Sequence, residues 1–551
     1  MQAAAQERVP VLIAGAGSTG LALACELGWR GVPCMVVEPR EEVNAHPRAN
    51  AVANRTMEYL RRWGIDRDLI GAGVPADIPA AYFWVTRLCG DEVHRLVLPG
   101  QLELEARRDA VRADPYDELH WSPYLKTIVG QDKVEHLLRR HAASLPGVDL
   151  RYGAALESCV EGPDAVRAVI ASNAGGPATS VEAQWLVGCD GGRSRVRELA
   201  GIGLSGRAGI AHFVSIFFRA PEFQDCHSFG PANIFFPLHR RHRGFLLNWD
   251  TGVTWTYHLI LDPAVDWRAI DARAAITALL GRETPIEVIS VQPWNAHALA
   301  ADRYASPGGR VLIAGDAAHL FTPTGGLGMN TGVSDAIDLA WKLGACVKGF
   351  AGDKLMASYE AERRPVGLRN TREAADNFDQ LFAVMQNGDE LEGEGADAQA
   401  LRARLKASLV MQHKLLKSSG VLLGYRYEDS PICVADGTPA PPDDPQVYTP
   451  VARPGHRAPH CWLAGGRSLL DILGPWFTLL DFGGADACVA RLAAAAQARG
   501  LPLVVRNPGD AIARKLYGNV AMALIRPDMM VAWRGDSVGD ATALIDRVRG
   551  A

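Results

Sequence analysis

Residues 9–38 read VPVLIAGAGSTGLALACELGWRGVPCMVVE. Val9 to Ala14 is a short apolar run, as expected of a strand buried on both faces. Gly15-Ala16-Gly17-Ser18-Thr19-Gly20 follows, then a helical stretch from Leu21 to Arg30 and a second apolar run from Cys34 that ends on Glu38. This is a βαβ unit, the start of a doubly wound sheet. Gly15 makes the tight turn, Gly17 lets a pyrophosphate approach backbone at the helix N-terminus, and Gly20 allows close helix–strand packing. Ser18 and Thr19 belong to the same turn. Glu38, at the end of the second strand, is placed to accept hydrogen bonds from ribose hydroxyls, with Arg40 just beyond it. Three spaced glycines alone recur by chance. With a strand before, a helix after and an acid at the next strand end, a dinucleotide site is the stronger reading.

A second glycine-rich stretch decides which dinucleotide. Residues 309–316 read GRVLIAGD, again an apolar strand ending on an acid. After Ala317-Ala318-His319 comes Pro323-Thr324-Gly325-Gly326-Leu327-Gly328-Met329-Asn330-Thr331-Gly332, ahead of a long helical pattern. Asp316 at a strand end can bond a polyol chain, and a glycine-rich turn lets backbone amides approach a flat ring. The helix that follows aims its positive end at that ring. A reduced flavin carries negative charge at its pyrimidine edge, so these amides would stabilise it. The two motifs together point to FAD, with Gly326, Gly328, Met329 and Asn330 beside it.

Outward from these motifs, Asn54 to Arg62 and Gln131 to Ala142 read as helices, and Trp185 to Asp190 as another buried strand. Between Phe213 and Asp262 the character changes. Val214–Phe218, Asn233–Phe236, Gly244–Leu247 and Trp255–Leu261 are aromatic-rich runs bounded by turn residues. They predict a mostly antiparallel sheet inserted between parts of the nucleotide domain. A helix is expected from Leu355 to near Asn387, and the acidic run at 389–394 reads as a solvated loop. From about Pro450 the chain is again βα-patterned.

The balance of 551 residues, 48% hydrophobic and 22% charged with net charge −5, is that of a globular multidomain protein and argues against a nucleic-acid partner. The ten cysteines stand singly, with no CxxC, so neither a disulfide framework nor a metal site is expected. Met1 to Pro10 is polar without the pattern of a signal sequence. No apolar run approaches the ~20 residues of a membrane span, so a cytoplasmic protein without a membrane partner is expected.

The sequence resembles the single-component, class A flavoprotein monooxygenases, the family of 4-hydroxybenzoate hydroxylase and phenol hydroxylase. Three signatures stand in order: the first glycine motif; Asp190-Gly191 within Val187-Gly188-Cys189-Asp190-Gly191-Gly192-Arg193-Ser194-Arg195; and Gly315-Asp316, continued by Asp335 to Leu343 and by Tyr359-Glu360-Ala361-Glu362-Arg363-Arg364-Pro365. Arg453 to Pro459 and Ile525 to Arg534 look like the thioredoxin-like tail of the larger phenolic hydroxylases. Without CxxC, that tail is read as packing or homodimer support. The resemblance implies an α/β fold with a Rossmann-like FAD-binding domain (1–75, 101–200 and 300–385) and an inserted, mostly antiparallel β-sheet substrate domain (76–100 and 201–299). A helical linker (386–449) and a thioredoxin-like domain (450–551) would complete it. It places Arg48 and Gln131 at the flavin or its phosphates, Asp190 in a largely structural role where the flavin and NAD(P)H regions meet, and Pro323 beside the reactive edge of the isoalloxazine.

By the same resemblance, NADH or NADPH reduces FAD, and dioxygen enters a C4a-hydroperoxide whose distal oxygen moves to a phenolic or related aromatic ring. Deprotonating the phenol makes the ring electron-rich, so a nearby base would help. Where some phenol hydroxylases carry an acid, this chain has Asn50. Replacement bases are His46, His258, His297 and Tyr257, with His297 favoured for its place just before the flavin strand; a lone histidine is more often structural. The tryptophan-rich WxWxIP motif of flavin halogenases is absent. Baeyer–Villiger or epoxidising chemistry of the same family, or a flavin reductase or sensor, are the alternatives.

Overall fold

A computed structural model describes residues 7–43, 46–110, 114, 116–250, 252–411, 413 and 416–551. Met1 to Gln6 of the polar leader lie outside them.

The opening unit forms as read. Glu7–Ala14 pairs in parallel with Cys34–Glu38 on one side and with Thr179–Gly188 on the other. Val148–Tyr152 adds outside Cys34–Glu38, and Val311–Ile313 adds beside Leu186–Gly188, both parallel. An antiparallel ribbon, Ala154–Glu161 with Val166–Ser172, closes the far edge of this seven-stranded sheet. Val11, Leu12 and Ile13 are fully buried, because helices Ser18–Trp29, Gln131–Ser144 and Gly328–Val347 cover the sheet.

The aromatic-rich region forms an eight-stranded second sheet. Leu204–Arg219 lies between Thr254–Leu261 and the long Glu287–Ala301, antiparallel to both. Gly244–Asn248, Ile234–Pro237, Ala80–Val85 and Glu92–Leu98 continue it outward, and only Ile234–Pro237 with Ala80–Val85 is parallel. Strand alternation gives the sheet two faces. Val214, Ile216, Phe218, Phe235 and Tyr257 pack on one, under the Ala272–Leu280 helix. Phe213, Phe236, Phe245 and Ile260 pack on the other, against the long Ala357–Val384 helix.

The acidic run is not simply solvated. Asp389–Leu391 is a single 3-10 turn with Leu391 fully buried, and the Asp389 carboxylate accepts a hydrogen bond from Arg241 at 2.9 Å. The apolar Leu391 anchors the turn that its charged neighbours suggested would float free.

A four-stranded sheet, ordered Leu503–Arg506, Phe477–Asp481, Met522–Ile525, Val531–Gly535, forms the C-terminal part. It is fastened to the helices Gly328–Val347 and Ala357–Val384 by buried charge. Arg526 donates to Glu362 at 2.5 Å, Asp338 at 3.0 Å and Asp528 at 2.7 Å. Lys342 donates to Asp338 and Glu362 at 2.7 and 2.6 Å. The Pro527 carbonyl accepts from Arg30 and Arg62, the Asp528 carbonyl accepts from Arg55, and Arg457 pairs with Glu58. The two motifs of the tail, around Arg457 and Arg526, thus supply buried charged contacts with the rest of the chain.

Removing one partner of a buried ion cluster strands the others. Arg526→Met should therefore lower the unfolding free energy by about 3–5 kcal/mol, read as a lower urea midpoint; an unchanged midpoint would mean that other contacts hold the tail.

Candidate active site

The three sequence motifs meet at the carboxyl ends of the parallel strands. Gly15 has φ +103°, and a Cβ there would lie 2.4 Å from the Cys189 carbonyl oxygen. A Cβ on Gly20 would lie 2.0 Å from the Gly15 carbonyl oxygen, and one on Gly315 or Gly332 2.4 Å from the Thr19 hydroxyl. Gly17 is different: the nearest atom to its Cβ position is a Glu135 carboxylate oxygen at 3.8 Å, so its backbone stays approachable. A cleft of about 790 Å³ opens here, between the first sheet and the second.

All the residues expected at the cofactor line this cleft except Gly20 and Asn330, and so do Pro323, His46 and His297. Gly20 is spent on packing. Asn330 is spent on the chain: its carbonyl oxygen accepts from the Ala53 amide and the Thr56 hydroxyl, and its amide nitrogen donates to the Ala51 and Gly326 carbonyls. Its side chain therefore shapes the glycine turn and has no hydrogen-bonding capacity left for a ligand.

The remaining groups suit FAD. Glu38 accepts from the Ala16 amide at 2.8 Å and from Arg40 at 2.7 Å; burial pushes its carboxyl up, but these bonds hold it below its usual value. Asp316 opens into the cleft and accepts no hydrogen bond from the described residues, while burial raises its pKa. A carboxylate so placed fits hydroxyl donors such as a ribityl chain. No side chain caps the Gly328–Val347 helix, so its first-turn amides can serve a ligand. Asp190 accepts from the Ser194 hydroxyl at 2.5 Å and from the Val196 amide at 3.1 Å, fixing the turn after its strand.

Glu135 is a residue that motif reading missed. Its carboxylate accepts from the Ser18 amide at 3.1 Å, the Ser18 hydroxyl at 3.0 Å and Gln131 at 2.8 Å. The only signal was spacing: Gln131 and Glu135 share one helix face.

On the second sheet's side, Tyr82, Phe236, Phe245, Leu247 and Trp294 wall the cleft. Tyr257 does not. It points to the opposite face among Ile216, Leu246 and Trp255, because strand alternation turns it away from its neighbour His258, so it drops out as a base. His258 is oriented by a relay. The Trp294 indole donates to the Ser215 hydroxyl at 2.7 Å, and Ser215 lies 2.6 Å from His258 Nδ1. An indole can only donate, so one lone pair of the hydroxyl takes its hydrogen; the hydroxyl's own hydrogen can go to Nδ1, or its second lone pair can accept Nδ1–H. Nε2 has no partner among the described residues. Burial pushes the His258 pKa down to about 3 and that of His46 to about 4. His46 Nδ1 meets the Ser290 hydroxyl at 2.7 Å, and His297 Nδ1 accepts from the Gly209 amide at 3.1 Å.

The FAD binding domain family matches residues 8–374, and the aromatic-ring hydroxylase C-terminal family matches residues 451–551. The chain is 32% identical to 4-methyl-5-nitrocatechol 5-monooxygenase of Burkholderia sp over 98% of its length and 97% of that protein's. It is also 32% identical to tetracenomycin A2 monooxygenase-dioxygenase of Streptomyces glaucescens, again over 98% and 97%. Among solved structures, RebC soaked with chromopyrrolic acid and holding 7-carboxy-K252c superposes with TM-score 0.89 at 34% identity, covering 99% of this chain and 100% of that one. The chain belongs to the FAD-dependent aromatic-ring monooxygenases. It is an enzyme of the aromatic-hydroxylase type, and FAD is its cofactor.

Asp316→Ala should weaken FAD binding about 10- to 100-fold with the fold intact, the loss expected when hydrogen bonds to a charged group disappear. Flavin fluorescence released on dilution measures it; unaltered retention would remove Asp316 from the cofactor contacts.

Proposed function

We propose that the chain uses NADH or NADPH and dioxygen to hydroxylate a phenolic or otherwise substituted aromatic ring. The observation that carries this is one cleft in which an aromatic wall (Phe236, Phe245 and Trp294) faces Pro323 and the glycine turn that follows it. FAD, when bound, supplies the redox and oxygen-activating chemistry; the chain binds, orients and excludes water. We assign the pyrophosphate to Gly15, Gly17, Ser18 and Thr19, with Arg40, Arg48 and Gln131 close by. The ribose goes to Glu38 and the ribityl chain to Asp316. The ring edge goes to Pro323 and to the backbone of Gly326, Gly328 and Met329, with Asp190 in support. We take the discontinuous FAD-binding and β-sheet substrate domains at the boundaries expected from the sequence, with residues 450–551 as a thioredoxin-like unit that has no redox role. A cytoplasmic enzyme, with the tail available to a homodimer, completes the proposal.

His297 and His46 are assigned to the phenol proton. For His297 this requires release of the Gly209 amide, which occupies the ring's lone pair. His297→Ala should cut product formation far more than flavin reduction, diverting oxygen to peroxide; unchanged coupling would remove it.

The substrate class is tested by mixing holoenzyme with NADH or NADPH and a panel of phenol, 2,4-dichlorophenol, 4-nitrophenol and 1,8-dihydroxyanthraquinone. A fitting ring should accelerate flavin reduction and gain one oxygen in mass. A panel that never speeds reduction sinks the hydroxylase proposal.

A further inference from the structure

The substrate side of the cleft is rich in donors and short of acids. Lys126, just ahead of the Thr127–Ile128 strand, lines it. Its ammonium donates to the Leu416 carbonyl at 3.0 Å, and Leu416 packs with Tyr82, Phe213 and Phe236 on the cleft face of the second sheet. That places the charge on the substrate side, away from Glu38, Asp190 and Asp316. No carboxylate among the described residues pairs with it. A largely enclosed ammonium without a counter-ion is costly, and an arriving anion would relieve that cost.

Two neutral polar groups accompany it. Asn50 lines the cleft, and its amide nitrogen is buried without a partner among the described residues. His258 is the other: the Trp294–Ser215 relay holds its ring, its Nε2 has no partner among the described residues, and Nε2 donates in the tautomer in which Ser215 donates to Nδ1. The other titratable groups lining the cleft near this side are Tyr82, whose phenol burial pushes up, Asp132, Arg48, and the two imidazoles His46 and His297, kept neutral because burial lowers each pKa, helped by Arg48 and His212 respectively. Burial also lowers the Lys126 pKa to about 8, which leaves it predominantly charged at neutral pH.

We propose that Lys126 is the counter-ion for an oxyanion on the aromatic substrate, foremost a phenolate, so that the enzyme favours the ionised ring by pairing with it. This rests on the aromatic-substrate proposal above. The step is an ionisation alone: the phenol O–H breaks, its proton leaves through an imidazole or water, and the electron pair stays on the oxygen opposite the ammonium. The anion then pushes charge onto the ring carbon that is to be attacked.

The test uses FAD-loaded enzyme and 4-nitrophenol, whose phenolate is coloured and whose phenol is not. Wild type should bind the phenolate and lower the apparent pKa of the bound phenol about 10-fold in acid constant or more, the size of one partly enclosed charge-assisted contact. Lys126→Met, which keeps most of the stem, should lose that shift and bind phenolate about 10-fold more weakly. Lys126→Arg should keep most of it. Binding of 4-nitroanisole, which cannot ionise, should be equal in all three, a control that a structural defect would fail. 4-Nitrobenzoate separates the sources of the anion: a Met-sensitive loss confined to it assigns Lys126 to a ring carboxylate. If Lys126→Met binds and ionises 4-nitrophenol as wild type does, the counter-ion proposal is overturned and the hydroxylase proposal stands. If neither 4-nitrophenol nor 4-nitroanisole binds wild type, both fall.

Discussion

Everything at the active site hangs on how closely three backbone segments approach one another. At Gly15, Gly20, Gly315 and Gly332 a single added carbon would collide with Cys189, Gly15 or Thr19. Close packing tolerates no such intrusion, so the absence of side chains is what lets the three segments meet. Residues more than three hundred apart in sequence then share one strand-end crevice, the place where open parallel sheets bind their ligands. The helix N-terminus behind Gly17 and the acid at Glu38 gain their meaning only because that junction closes.

The C-terminal sheet bears on the same junction from behind. Asp338 and Lys342 sit on the helix that begins at the glycine turn, and both belong to the ion cluster that holds Arg526. Buried ion pairs cost desolvation that their attraction only partly returns, so such a cluster is poor evidence of added stability. What it does provide is a defined docking geometry, because each guanidinium fork satisfies several carboxylate oxygens at once. The tail thereby fixes the back of the helix whose first residues, Gly328 and Met329, line the cleft. A domain without a redox motif can bear on activity through that one helix.

Charge in the cleft is divided by side. Carboxylates of Glu38, Asp190 and Asp316 belong to the first sheet and its loops, and those of Asp132 and Glu135 to the Gln131–Ser144 helix that covers it, where backbone amides and a cofactor's hydroxyls can meet them. The second sheet and the segments beside it present rings, neutral imidazoles and one ammonium. In an enclosed site such fixed groups act more strongly than they would in water, and they need no rearrangement when charge develops on a bound ring.

The sequence by itself determined the α/β class, the flavin and the family, because those depend on local patterns: apolar runs of strand length, glycines at fixed spacing and acids at strand ends. It also marked the aromatic region as a separate sheet. Which side chains of that sheet would meet the cleft was not legible, since a period of two divides a strand's residues between faces without saying which face is covered. Tyr257 and His258 are adjacent in sequence and lie on opposite sides of the sheet. The side chain of Asn330 is a brace, because its partners at Ala51, Ala53 and Thr56 come from a segment that only the fold brings near. Lys126 carries no motif; its neighbour Leu416 is almost three hundred residues away. Tertiary structure alone decided which polar groups keep their partners and which are left facing the cleft, because burial is a property of the packed chain and local sequence does not encode it.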